Sequence, residues 1–109
     1  MFYHPLISRL ILLVWKRWLM GKRVLVAITE YAATGELLER RQFVGRIIAV
    51  DPERGIRLQR PDASHYDLPP DHRALKRARK GEYKLRATGE IVIDPDYLST
   101  WTLTKPPTA

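Results

Sequence analysis

Four cationic side chains recur at helical spacing in the second half of the chain, namely Arg73, Lys76, Arg77 and Lys80. At about 100° per residue, these positions fall on one side of a helix, with Ala74 and Leu75 nearly opposite. Like charges at this spacing repel one another by roughly 0.2 to 0.5 kcal/mol per pair, and a bound polyanion would relieve the repulsion. The spacing therefore predicts a basic helix over residues 71–80 that binds an acidic surface.

Two further cations follow this predicted helix. Lys84 and Arg86 are two residues apart, so on an extended strand they would share a face and enlarge the basic surface. The candidate binding residues are therefore Arg73, Lys76, Arg77, Lys80, Lys84 and Arg86. Charge runs of this kind are most often a solvated face kept for solubility. A nucleic-acid backbone, an acidic protein or an anionic membrane surface are the binding partners that fit them. No aromatic side chains alternate with the cations, so base stacking is not predicted.

Residue types that carry catalysis or hold metals are sparse and poorly spaced. The chain has no Cys, which excludes disulfides, thiolate metal sites and a Cys nucleophile. His65 and His72 are separated by six residues that include two prolines, and this spacing matches no established zinc site. Residues 94–96 are typical of a turn, and neither a glycine-rich phosphate loop nor a nucleophile elbow occurs. We therefore expect no enzyme activity, no cofactor and no metal.

The positive charge is concentrated in two blocks. The 109 residues include 19 Lys and Arg against 12 Asp and Glu, a net charge of +7. Residues 1–29 hold five Lys or Arg and no acid, and residues 72–86 hold seven against one acid. The remaining segments are mildly acidic. Because the excess of positive charge is local, it predicts binding at particular surfaces rather than over the whole molecule.

The first basic block begins with an amphipathic segment. Pro5 near its start and Gly21 just past its end predict a helix, with Lys16 and Arg17 near the negative end of the helix dipole. The longest uninterrupted apolar run is six residues, too short for a membrane-spanning helix or a signal peptide. The apolar side chains form one broad arc that we expect to be buried, made of Ile7, Leu10, Ile11, Val14, Trp15 and Trp18.

Several interpretations of this segment stay open. The helix could pack on the predicted sheet or on a second copy of the chain, which we favour. It could instead lie on a membrane surface, because Trp15 and Trp18 are combined with cations. A further alternative is that residues 1–19 are an upstream extension, since Met20 directly precedes a sequence suited to open a β domain.

The rest of the chain predicts short strands separated by turns. The apolar run at 24–28 predicts a strand buried on both faces, and Gly45 predicts a bulge or bend in the next strand. Turn residues predict a hairpin at 51–55. The other expected strands lie at 43–50, 56–59, 66–68, 83–85, 91–94 and 98–104. We expect one α+β domain over residues 1–109, with the helix or extension in 1–21 and a sheet-rich core in 22–104. Its sheet should be mostly antiparallel and could curl toward a barrel.

Five short segments carry a resemblance to other proteins: Leu68-Pro-Pro-Asp71, Gly81-Glu-Tyr83, Thr88-Gly-Glu90, Asp94-Pro-Asp96 and Thr100-Trp101. Together they resemble a family of small uncharacterised bacterial proteins over residues 42–104. This resemblance implies a fold defined by these turns, and it brings no activity. Residues 43–58 also faintly resemble the first half of an Sm-like barrel. They depart from that family where it reads RNA, because the position after the turn has no Asn and no second Arg-Gly motif follows.

These observations predict a small, cytoplasmic, non-catalytic binding module that presents its basic helix to an acidic partner. Nucleic-acid binding without sequence preference is the first alternative. Peripheral membrane association through the N-terminal helix is the second alternative.

Overall fold

Eight strands and one α-helix make up most of the chain. The structure, a computed structural model, describes residues 5–106, with side chains from Leu10 onward. The elements, in chain order, are α1 (Pro5–Leu19), β1 (Arg23–Tyr31), β2 (Leu37–Asp51), β3 (Gly55–Gln59), β4 (His65–Leu68), a 3-10 helix (His72–Ala74), β5 (Lys76–Arg77), β6 (Glu82–Lys84), β7 (Ile91–Ile93) and β8 (Tyr97–Thr104).

Six of the strands form one sheet, and the other two form a separate hairpin. The sheet has the order β4-β3-β2-β1-β8-β5, and β6 pairs with β7. The pairing of β1 with β8 is parallel, and the other pairings of the described residues are antiparallel. The predicted mostly antiparallel sheet is therefore confirmed. The sheet is not closed into a barrel, because β4 and β5 form its two edges.

Strand β1 is central because its apolar run is buried on both faces of the sheet. Val24 and Val26 belong to the main core, whereas Leu25 packs in a second cluster with Leu85 and Val92 of the β6–β7 hairpin segment. Alternate side chains of a strand point to opposite faces. We call the face of Val24 and Val26 the inner face and the face of Leu25 the outer face. The prediction of a strand buried on both faces is confirmed.

The hairpin predicted between β2 and β3 is confirmed. The backbone N–H groups of Arg54 and Glu53 donate to the Asp51 carboxylate and hold its pKa below the usual value. Gly55 closes the hairpin with φ of +114°, and a Cβ at this position would lie 2.0 Å from the carbonyl oxygen of Leu68. Only glycine satisfies both requirements.

The bulge predicted at Gly45 is displaced along β2. Gly45 is in regular register with Val24, and the shift in pairing with β3 falls between Ile47 and Ala49. Glycine is required at position 45 for a different reason, since a Cβ there would approach the Cβ of Leu58 to 2.8 Å. The sequence signal was therefore a close approach of two strands rather than a bulge.

Helix α1 is confirmed, but it packs through side chains other than the predicted arc. Leu12 and Leu19 are 0% and 1% exposed and belong to the main core on the inner face. Four residues of the predicted arc are exposed instead, namely Leu10, Val14, Trp15 and Trp18. Ile7 of that arc lies outside the described side chains. The arc is therefore not buried by contacts within this chain, and its burial against a second copy stays a prediction.

The basic helix predicted over residues 71–80 is wrong. Asp71 caps a single 3-10 turn by accepting a hydrogen bond from the N–H of Arg73, and the chain becomes extended at Leu75 with φ of −113° and ψ of 114°. The next two residues form β5, which pairs with the start of β8. An isolated helix of about ten residues is marginal in water. The extended path instead packs Leu75 against the main core. It also pairs the backbone of β5 with that of β8.

Candidate functional site

The structure separates the six predicted binding residues, because the helix that would have aligned them is not formed. Arg73 is engaged by Asp71, with Nη2 3.0 Å from Oδ2. Lys76 and Arg77 are neighbours on β5, so their side chains point to opposite faces. Lys84 lies in β6, Arg86 lies beyond its end, and Lys80 lies in the connection between β5 and β6. Their common role in binding stays a prediction.

Four of these six cations line three different depressions of the surface. Arg73 and Lys76 lie beside Trp101 in a depression of about 310 Å³. Arg77 lines a groove beside α1, and Arg86 lines a cavity on the outer face. A continuous basic ridge is therefore absent from the part of the chain that the structure describes, and each location has to be considered separately.

The most exposed apolar surface lies on α1. Leu10, Leu13, Val14 and Trp18 are 61%, 56%, 71% and 73% exposed. With the exposed Arg17, they follow the spacing i, i+3, i+4, i+7 and i+8, which places them on one side of a helix, opposite the buried Leu12 and Leu19. We call these five residues the outer stripe of α1. Helix α1 is consequently apolar on the side away from the core as well as toward it.

A largely apolar groove continues the outer stripe toward β5 and β8. The groove has a volume of about 540 Å³, and its lining includes Val14, Trp15, Trp18, Leu75 and Tyr97. The indole ring of Trp15 stands edge-on to the imidazole of His72, with the ring centroids 6.3 Å apart. Trp15 is therefore held by a neighbour, while Trp18 lines the groove and stays 73% exposed.

Positive charge surrounds this apolar surface. Lys16, Arg17 and Lys22 are exposed, and residues 5–29 contain no acid. Lys16 makes a minor contribution to the lowered pKa of Asp51, a carboxylate whose main partners are the turn N–H groups of Arg54 and Glu53. No ion pair within 4.0 Å joins Lys16, Arg17 or Lys22 to a carboxylate of the described residues. The surface of α1 is thus both apolar and cationic.

Two other features are absent from residues 5–106. None of the helices described is long and apolar enough to cross a membrane. No three His, Asp or Glu side chains of this range are grouped so that they could hold a metal ion.

The exposed stripe could have been recognised from a signal in the sequence. Leu12, Leu13 and Leu19 lie outside the predicted arc, so apolar residues occur on every side of the helix. A helix that is apolar all round needs contacts on more than one side.

No protein-family model, curated protein or solved structure matches the chain.

Proposed function

We propose that the chain is a peripheral membrane-binding module whose helix α1 lies along the surface of an anionic bilayer. The observation that carries the proposal is the outer stripe of α1, in which four large apolar side chains are 56% to 73% exposed around Arg17. Contiguous exposed apolar surface of this kind marks an interaction site. An amphipathic helix with aromatic and cationic side chains is suited to the boundary between headgroups and acyl chains.

Charge favours an anionic membrane over a second copy of the chain. In a symmetric dimer the stripe would meet its own copy, which would bring Lys16 and Arg17 close to the same residues of the partner. Residues 5–29 contain no carboxylate to compensate these charges. An anionic headgroup layer supplies the opposite charge and accepts the apolar side chains at the same time.

The magnitudes are sufficient for reversible binding. Trp18 is 73% exposed. A tryptophan side chain can bury roughly 150 to 250 Å², so insertion of the exposed part contributes about 3 to 5 kcal/mol at ~25 cal/mol per Å². Each cation near an anionic surface adds about 1 kcal/mol. Lys16, Arg17 and Lys22 therefore add an attraction that is comparable with the insertion of Trp18.

The acidic-partner function predicted from the sequence depended on a basic helix, and that helix is not formed. Four of the six predicted cations line three separate depressions, an arrangement that does not favour a long polyanion. The membrane function depends instead on residues that are contiguous on one element.

Cosedimentation with lipid vesicles tests the proposal. We expect binding to vesicles in which about one third of the lipid is phosphatidylserine, and weaker binding to pure phosphatidylcholine or at high salt. Arg17→Glu reverses one charge and should weaken binding by about 30-fold, and Trp18→Ser should weaken it by at least about tenfold. The matched control is Ile93→Ser, which alters an apolar residue of the β6–β7 hairpin that is 57% exposed.

Three outcomes would contradict membrane binding. The first is no binding of the unsubstituted protein to anionic vesicles at low salt. The second is an equal loss of binding in Ile93→Ser and Trp18→Ser. The third, measured by sedimentation equilibrium, is a dimer that Trp18→Ser dissociates in the absence of any lipid binding.

A further inference from the structure

A cavity on the outer face is lined by three arginines, of which Arg40 and Arg86 come from distant parts of the sequence. It has a volume of about 430 Å³ and lies between strands β1 and β2 and the turn that follows β6. Strand pairing places Thr29 opposite Arg40 and Ala27 opposite Gln42. These four residues share the outer face, because they alternate with the inward-facing Ile28. The rest of the lining comes from Ile28 and Arg41 of the same strands and from Arg86 and Ala87.

The position of Arg86 is fixed by its backbone. Its N–H donates to Oε1 of Gln42 at 2.8 Å, which attaches the end of the hairpin to β2. The turn itself is closed by hydrogen bonds from Leu85 N–H to the carbonyl oxygen of Glu90 and from Gly89 N–H to the carbonyl oxygen of Leu85. Because the amide oxygen of Gln42 is occupied, its NH₂ group remains to donate within the same region.

The guanidinium groups of Arg40 and Arg86 have no partner among the described residues. No hydrogen bond or ion pair involves either side chain in the part of the chain that the structure describes. Other arginines of the outer face differ in this respect. Arg23 donates to the carbonyl oxygens of Ile93 and Asp94, and Arg46 donates to the carbonyl oxygen of Gly21 at 2.7 Å.

No carboxylate of the described residues lines the cavity to compensate these cations. The strands add only uncharged side chains beside Arg40, namely Ala27, Thr29, Gln42, Thr100 and Thr102. Glu30 and Glu39 are paired with each other across β1 and β2 and point to the inner face. Glu90 lies in the turn after Arg86 and forms no ion pair with either arginine.

We propose that this cavity binds a small phosphate monoester, with Arg40 and Arg86 contacting the phosphate. Guanidinium groups match the geometry of phosphate oxygens, and a dianion balances two cations. The hydroxyl of Thr29 and the amide NH₂ of Gln42 add neutral donors on the same face. The volume exceeds that of a phosphate ion and lies in the range of ligand pockets, so the organic part of the ester contacts Ala27 and Ala87. The proposal is independent of α1 and of membrane binding.

Titrations followed by the amide resonances of the ¹⁵N-labelled protein test this site. The probes are glucose 6-phosphate, inorganic phosphate and glucose. We expect glucose 6-phosphate to shift the resonances of Thr29, Arg86 and Ala87 saturably, with little effect of glucose. Binding should weaken as the pH falls below about 6, where the monoester loses its second charge. Arg40→Gln and Arg86→Gln should each weaken binding at least about tenfold. The control Arg54→Gln removes an exposed arginine from the β2–β3 hairpin and should leave binding unchanged.

Several results would overturn the proposal. These are the absence of a saturable shift up to about 10 mM glucose 6-phosphate, an equal weakening by Arg54→Gln, or inorganic phosphate binding as tightly as the ester. Tighter binding of a single-stranded oligonucleotide at the same resonances would assign the site to nucleic acid instead. The dispersed amide spectrum of each variant checks that it is folded.

Discussion

The orientation of α1 can be tested with two adjacent leucines. Leu12 is 0% exposed in the main core, and Leu13 is 56% exposed on the outer stripe. Replacement by Ala changes the helix propensity of both positions in the same way. Leu12→Ala removes buried methyl groups and leaves a cavity, so it should lower the free energy of unfolding by about 3 kcal/mol. Leu13→Ala removes groups that remain in contact with water and should change it by less than about 0.5 kcal/mol.

Urea denaturation followed by circular dichroism measures this difference. For a domain of about 100 residues, a loss of about 3 kcal/mol corresponds to a fall of roughly 12 to 20 °C in Tm. Equal effects of the two substitutions, or a larger effect of Leu13→Ala, would show that α1 uses a different face. If neither substitution changed stability, α1 would not be part of the folded unit, and the interpretation of residues 1–19 as an extension would gain support.

Two further predictions concern the strands. Gly55→Ala should destabilise the protein by about 3 kcal/mol or more, because its φ is +114° and the new Cβ would meet the carbonyl oxygen of Leu68. Gly35→Ala is the matched control, because Gly35 has φ of +92° but open space around the position of a new Cβ. Its Tm should therefore fall less than that of Gly55→Ala, and the difference measures the cost of the clash. Equal losses in Tm would contradict this explanation. The Arg57 guanidinium beside Asp67 holds the pKa of that carboxyl below its usual value. This pair therefore stabilises the fold above the unfolded pKa of about 4, and the stabilisation is lost as the pH falls through the lower folded pKa. The urea midpoint of Arg57→Gln should fall less steeply between about pH 5 and pH 2 than that of the unsubstituted protein. Parallel curves for the two proteins would refute this prediction.

Much of the strand arrangement could be predicted from local sequence. The run from Val24 to Ile28 is apolar at every position, a pattern compatible only with a short segment that is buried on both faces. The hairpin at 51–55 is determined by residues within five positions of one another, so its prediction required no information about distant contacts. The parallel pairing of β1 with β8 depends on residues that are far apart in sequence, and no local pattern indicates it.

The failures have physical causes of the same kind. The helical spacing of Arg73, Lys76 and Arg77 is compatible with a helix. The extended conformation is favoured instead, because it packs Leu75 against the core and pairs β5 with β8. In α1, periodicity identified apolar residues without deciding which of them face the core, because the helix is apolar on every side.

The candidate sites were predictable only in part. Arg86 was singled out from its position in a basic block, whereas its neighbour in the outer-face cavity, Arg40, was missed. Arg40 lies outside the strands expected from the sequence. Its proximity to Arg86 arises from the way the β6–β7 hairpin attaches to β2, through the Gln42 amide. Contacts of this kind depend on the assembled sheet.

The position of β8 has a consequence for synthesis of the chain. Strand β1 pairs with β2 early in the sequence, but its second edge is covered only when β8 pairs with it along eight residues. At roughly 5 to 20 residues per second, a ribosome needs several seconds to add the intervening segment. During that time the nascent chain exposes an unpaired apolar edge that other chains can join. Chains whose translation stops before Tyr97 would retain that edge permanently, so premature termination products of this protein should aggregate or be degraded.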